Sequence, residues 1–233
     1  MTTHNVRTRI ALLAATVVFC AAPASAGDDP NNSARLGLYS VFYHVKADDL
    51  SGPFVPAGAN IDANNVETAY LAYVRTIIPH WDVELALGYP PLQKTVGKGP
   101  ATLGSVPYNG QVIATARWIA PTVLLEYVFF DEGSKWRPYI GAGVNYTTFY
   151  DRNSTAAGDA ASGGPTRISL TPSVGWAATA GLNYHIAKNW HAYASYSFSK
   201  VTTDLKAETA GVIRTTHIDF APQALVVSVG YSF

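Results

Sequence analysis

From Leu225 to Phe233 the chain reads Leu225-Val226-Val227-Ser228-Val229-Gly230-Tyr231-Ser232-Phe233, and every odd position is large and apolar while the even positions from 226 are Val, Ser, Gly and Ser. A period of two with one greasy face and one small or polar face predicts a β-strand. Taken alone, this strand fits a soluble sandwich and a membrane barrel equally well. Similar segments recur, giving eight in all: 34–45, 66–78, 81–89, 121–130, 136–150, 173–186, 190–204 and 217–233. Most reach the ~9 to 11 residues that a tilted strand needs to cross a bilayer.

The connectors decide between the two. Short ones fall at Pro79-His80, at 131–135 and at 187–189, and long ones at 46–65, 90–120, 151–172 and 205–216. An even strand count with alternately short and long connections predicts an all-β fold, an eight-stranded antiparallel transmembrane β-barrel with short periplasmic turns and long extracellular loops. The two faces agree with this. In the sixth segment Trp176, Ala178, Ala180, Leu182 and Tyr184 oppose Gly175, Ala177, Thr179, Gly181 and Asn183. The small, polar set suits the crowded interior of a narrow barrel. Trp81, Tyr89, Trp136, Tyr150, Tyr184 and Trp190 gather at segment ends, as aromatic girdles do. The facing of the first two strands stays open, because a one-residue slip inverts it.

Composition narrows the class further. Of 233 residues 48% are hydrophobic and 14% charged, against ~25% charged in soluble domains. Such a chain is too apolar to be disordered and has too few charges to coat an ordinary water-facing surface. No apolar run after residue 26 approaches the ~18 residues of a membrane-spanning helix. Residues 1–26 read as a cleaved signal peptide: Arg7 and Arg9, an apolar run from Ile10 to Ala22, then Ala24-Ser25-Ala26. That leaves 27–233 as the barrel. The one cysteine, Cys20, falls in the leader, so the barrel has no thiolate nucleophile or ligand. With 16 basic and 16 acidic side chains, nucleic acid is not an expected partner.

From Leu125 onward the chain resembles the OmpW family of outer-membrane proteins. The resemblance is carried by YVFFDEGSKWRPYIGAGVNYTTFYD at 127–151, SVGWAATAGLNYHIAKNW at 173–190 and the terminal Phe233, with weaker echoes in ARLGLYSVFY at 34–43 and WDVELALGYP at 81–90. It implies periplasmic termini, residence in the outer membrane among its lipid and lipopolysaccharide, and passage of small hydrophobic molecules. Members are also similar to alkane-uptake proteins that accompany hydrocarbon oxidation. Phe233 is the expected assembly signal, read by the barrel-assembly machinery through the last strand.

Three groups of residues are candidates for that function. The long loops carry unusual apolar surface, and Phe54, Leu92, Tyr108 and Trp118 are the expected hydrophobic mouth. The alternative for them is simple packing between loops. Pro90, Pro91 and Pro121 each remove a ladder donor and either open a lateral gap or merely terminate strands. Arg35, Arg75, Glu84 and Glu126 lie toward the periplasmic ends of their strands. If Arg35 shares the inward face with Gly37, Tyr39 and Val41, it needs a buried partner, and an ion-pair plug of the lower lumen is expected.

Catalysis and metal binding find little support. His217 with Asp219 offers a base, but no Ser stands at a recognisable motif spacing. His185 and His191 fall in different strands without clustered carboxylates, so no metal and no cofactor is expected. The glycine-rich stretch 158–164 is read as a flexible external loop. The alternative function is a structural or surface-binding barrel, of adhesin or receptor type, without transport.

Overall fold

The computed structural model describes residues 31–103 and 106–233; the expected signal peptide, with Cys20, lies outside the described residues. In chain order the strands are β1 (Asn32–Phe42), β2 (Lys46–Ala47), β3 (Asn60–Ala63), β4 (Val66–Ile78), β5 (Trp81–Gly88), β6 (Leu92–Lys98), β7 (Thr102–Leu103), β8 (Val106–Pro107) and β9 (Val112–Ile119). They continue as β10 (Thr122–Val128), β11 (Trp136–Ser154), β12 (Thr166–Leu170), β13 (Ser173–Ala187), β14 (Trp190–Ser199), β15 (Thr202–Thr209), β16 (Val212–Asp219) and β17 (Gln223–Ser232), with one helix, α1 (Ala156–Ser162), before β12.

Eight of these close a barrel. The order is β1-β4-β5-β10-β11-β13-β14-β17, every pair is antiparallel, and β17 returns to β1 from Ser33↔Ser232 to Phe42↔Gln223. Closure leaves no sheet edge, which is what lets a sheet sit in hydrocarbon. Period two sorts the side chains. Leu36, Leu38, Val174, Trp176 and Val227 are exposed on the outside, whereas Arg35, Val41, Ala177, Val226 and Ser228 are buried inside. On β4 the inward set is Tyr70, Ala72 and Val74, so the facing of the first two strands is fixed. Small inward residues make room for large neighbours: a Cβ on Gly181 would lie 2.4 Å from the Tyr139 ring.

The expected long loops are largely β-structure. β2 pairs with β16 at Ile218↔Ala47 and β15 pairs with β16, continuing the registers of β1 with β17 and of β14 with β17. Likewise β3 pairs with β6, and β6 with β9. The barrel strands therefore run on beyond a level of interruptions, where the wall divides into two upper sheets, β12-β15-β16-β2 and the outer part of β11 with β9, β6 and β3. The segments expected at 190–204 and 217–233 are each broken at this level, at Lys200-Val201 and at Phe220-Ala221-Pro222. The stretch 158–164 is not a loop throughout. It holds most of α1, whose N-cap Thr155 accepts from Gly158 N at 3.1 Å and whose end is set by left-handed Gly163; the alanines flanking its one interior glycine favour the helix.

Candidate functional site

Between the two upper sheets lies a cavity of about 260 Å³. Its wall is mostly apolar, with Leu50, Val55, Ile61, Ile113, Ile168 and Leu205 among its lining. One loop and four different strands supply these side chains, which is why no local stretch of sequence announces the cavity. Phe54 stands at its rim, 87% exposed and with a positive φ of 61°. Tyr108 is buried in the wall over Gly97, where a Cβ would come within 2.9 Å of the tyrosine ring. Burial pushes the Tyr108 hydroxyl up to about 12.

Phe54 and Tyr108 thus meet at the cavity, but the other two expected mouth residues do not. Trp118 lies one layer deeper, buried with Val41, Phe149, Val201 and Ala224 and flanked by Tyr39, Tyr43 and Phe220. Leu92 is directed to the outside of β6, because its neighbour Gln93 takes the buried position and alternation sends Leu92 the other way. Ile61 and Leu205 of the cavity wall cluster with Ile218, and Leu170 and Phe220 join that cluster to the aromatic layer around Trp118.

Just below that layer the wall is unpaired on one side. β5 pairs with β10 as far as Ala86↔Thr122, and pairing resumes between β6 and β9 at Leu92↔Arg117. Between those points residues 87–91 and 118–121 are not laddered to each other, although Leu87 and Gly88 still pair with β4 and Trp118 and Ile119 with β11. Pro90, Pro91 and Pro121 all border this one gap. Pro121 still accepts from Tyr146 N at 3.0 Å, so β11 remains attached on the other side. Arg117 Nη1 donates to Pro90 O at 3.0 Å across the opening. Two small interior cavities, of about 40 Å³ each, abut the gap through Trp118 and Ala120 and through Leu87 and Gly88.

Deeper still, Arg35 forms an ion pair with Glu84, and its Nη2 lies 3.7 Å from Glu126 Oε2. All three are buried, Glu126 at 1% exposure. Tyr70 donates to Glu84 Oε1 at 2.6 Å, and the Arg35 guanidinium stacks 3.9 Å from the Tyr193 ring centroid and 5.6 Å from that of Tyr139. The tyrosines are the part that sequence reading missed. Their signal was their phase, since Tyr70, Tyr139 and Tyr193 all sit on inward positions. Arg75 does not join this layer. It is exposed on the outer face of β4, paired with Asn32 at the strand end, where a long side chain reaches the membrane interface.

His185 and His191 fall in different strands as expected, whereas His217 finds a different partner from the expected Asp219. His185 and His191 are direct cross-strand partners with ring centroids 4.5 Å apart, although among the described residues no group of three or more His, Cys, Asp or Glu is arranged to hold a metal. His217 pairs with Asp204 at 2.7 Å, across β15 and β16, while Asp219 pairs with Lys200.

The molecule has clear relatives. Outer membrane protein W of Vibrio cholerae is 26% identical over 221 residues, spanning 95% of this chain and 97% of that protein. The dibenzothiophene metabolism operon protein PahQ of Pseudomonas aeruginosa is 32% identical over 139 residues, 58% of this chain and 60% of that protein. Among solved structures, the outer membrane protein OprG from Pseudomonas aeruginosa superposes with a TM-score of 0.78 at 21% identity, covering 88% of this chain and 97% of that one. The family model for OmpW matches residues 34–233, and with the closed barrel this places the chain in the OmpW family of outer-membrane proteins.

Proposed function

We propose that the barrel is a passive conduit for small hydrophobic molecules. The observation that carries this is the mostly apolar cavity of about 260 Å³ between the upper sheets, a space of the kind that holds small apolar ligands. A solute enters past Phe54 and Tyr108, crosses the Trp118 layer when that layer yields, and leaves sideways through the unladdered stretch bordered by Pro90, Pro91 and Pro121. The Arg35–Glu84–Glu126 layer beneath makes the straight route to the periplasm costly for an apolar solute, because it replaces a dry path with fixed charge. The name of the relative PahQ, a dibenzothiophene metabolism operon protein, supports a hydrophobic cargo. The exposed apolar band of the barrel meets outer-membrane lipid, and exposed Phe233, whose backbone donates to Asn32 O at 2.8 Å, is the feature offered to the assembly machinery.

Uptake of radiolabelled octane by cells tests the proposal, comparing wild type, Phe54→Asp, the double variant Pro90→Val with Pro91→Val, and cells without the protein. Heat-modifiable gel mobility reports barrel assembly in each. Wild type is expected to accelerate uptake, and both variants are expected to assemble yet slow it. Uptake by assembled wild type at the level of cells lacking the protein would turn the reading toward a structural or surface-binding barrel.

A further inference from the structure

Resting on the reading of this cavity as the way in, we infer that it is built for apolar organic anions, a hydrophobic body ending in a carboxylate, with Arg214 as the residue that binds the carboxylate. Arg214 is on the inward face of β16, in phase with buried Thr216 and Ile218. It is the only charged side chain lining the cavity among the described residues. Its charge has no carboxylate partner: among the described residues no ion pair involves it.

The contacts it does make are weak and neutral. Nε donates to Pro53 O at 3.3 Å, and Nη1 donates to Ser162 O at 3.4 Å and to Thr209 Oγ1 at 3.5 Å. These lie beyond the ~2.7–3.2 Å of ordinary N–H···O bonds. They hold the guanidinium in place without neutralising it. The contrast with Arg35 is instructive, because that inward arginine faces two carboxylates and two tyrosine rings. A half-buried guanidinium beside an apolar wall gains most from an incoming carboxylate, whose two oxygens match its planar fork.

The size of the space limits the body of the ligand. A cavity of about 150 Å³ holds benzene, so about 260 Å³ accepts an eight-carbon chain or a fused pair of rings. Ser162 and Thr166 also line the space, and both stand at its charged end, Ser162 through its carbonyl on Arg214 and Thr166 through Thr209. The class is therefore medium-chain or aromatic carboxylates, the acids formed when hydrocarbons are oxidised at one terminus.

The test compares octanoate with octanamide, which share a shape and differ in charge at pH 7. Binding of each to the full barrel in lipid nanodiscs is measured calorimetrically, with empty nanodiscs subtracted, for wild type, Arg214→Gln and Arg214→Lys. A hydrogen-bonded charge pair at a partly dry site gives roughly a tenfold preference for octanoate in wild type. Arg214→Gln is expected to erase that preference by lowering octanoate affinity more than octanamide affinity, and Arg214→Lys to keep part of it. Equal affinities in wild type, or a preference that survives Arg214→Gln, would overturn the inference. If octanamide binds and octanoate gains nothing, the conduit reading survives and this inference falls; if neither binds, both fall. The wild-type comparison stands even if a variant assembles poorly.

Discussion

The hydroxyl of Tyr70 on β4 donates to Glu84 Oε1 at 2.6 Å, while the same carboxylate pairs with Arg35. Glu84 is therefore held from two strands, β1 and β4, in addition to its own. Glu126 is not: both of its carboxylate oxygens lack a hydrogen-bond partner, and its nearest cation contact is the 3.7 Å approach of Arg35 Nη2. The two glutamates share burial and charge but differ in how well they are satisfied. Glu84→Gln is expected to destabilise the barrel by about 3 kcal/mol, the usual consequence of removing one partner from a buried pair. Glu126→Gln is expected to change stability by under ~1 kcal/mol or to raise it, since a poorly bonded buried charge is lost. Urea unfolding of the refolded barrel, followed by gel mobility and tryptophan fluorescence, checks the order. Equal losses for the two variants would show that satisfaction of hydrogen bonds does not set the difference.

The same layer is expected to limit ion flow. Arg35, Glu84 and Glu126 converge in the lumen, with the Tyr139 and Tyr193 rings against the guanidinium. Removing both members of the main pair, as in Arg35→Ala with Glu84→Ala, takes two large buried side chains out of the lumen without leaving that pair half broken. Planar-bilayer recordings are expected to show larger and more frequent conductance steps for this variant than for wild type. Unchanged current would mean that the lumen is closed elsewhere.

How much of this was readable in the sequence depends on what surrounds each segment. Below the level of interruptions lipid lies on one side and a narrow lumen on the other, so alternation is strong, and the ranges expected at 66–78 and 81–89 match β4 and β5 nearly residue for residue. Above that level both sides of the wall meet water or other loops. The strands there, such as β15 (TTDLKAET) and β16 (VIRTTHID), carry mixed polarity, and their parts within 205–216 read as loop. The interruption at Lys200-Val201 has no proline or glycine to mark it. Arg75 shows the same limit at the other end, because a charge near a strand terminus is tolerated on either face. Convergence of Arg35, Glu84 and Glu126 followed from phase, whereas Leu92 failed as a lining residue because the Pro90-Pro91 interruption hides the phase of β6.

Tyr108 provides a pH signature outside the membrane. Burial raises its hydroxyl from the ordinary value near 10 to about 12, so the folded loop holds the proton more tightly than the unfolded loop does. The associated stability is fully present below pH ~10 and is lost as pH rises toward ~12. The difference in phenolate absorbance between wild type and Tyr108→Phe is expected to emerge only near pH 12. A midpoint near 10 would mean that the ring is open to water and the cavity wall is looser than its contact with Gly97 implies.

The gap beside Pro90 makes a prediction that separates an opening from a mere strand end. Gly88 on β5 and Ala120 just before Pro121 stand at the level where β5 and β10 stop pairing, one step past Ala86↔Thr122. An amide hydrogen-bonded in a ladder exchanges only when the ladder opens, whereas one that faces an unpaired side of its strand exchanges by small local fluctuations. Hydrogen exchange resolved by residue is therefore expected to be fast at Gly88 and Ala120 and slow at Ala86 and Thr122, although all four lie in one short stretch of wall. Pro90→Val with Pro91→Val restores two backbone donors and removes the fixed φ that interrupts β5 from β6. In that variant Gly88 is expected to become protected as the ladder extends upward, and the barrel to melt at a higher temperature. If the variant gains protection at Gly88 yet passes hydrophobic solute as fast as wild type, the gap is a strand boundary and the solute leaves by another path.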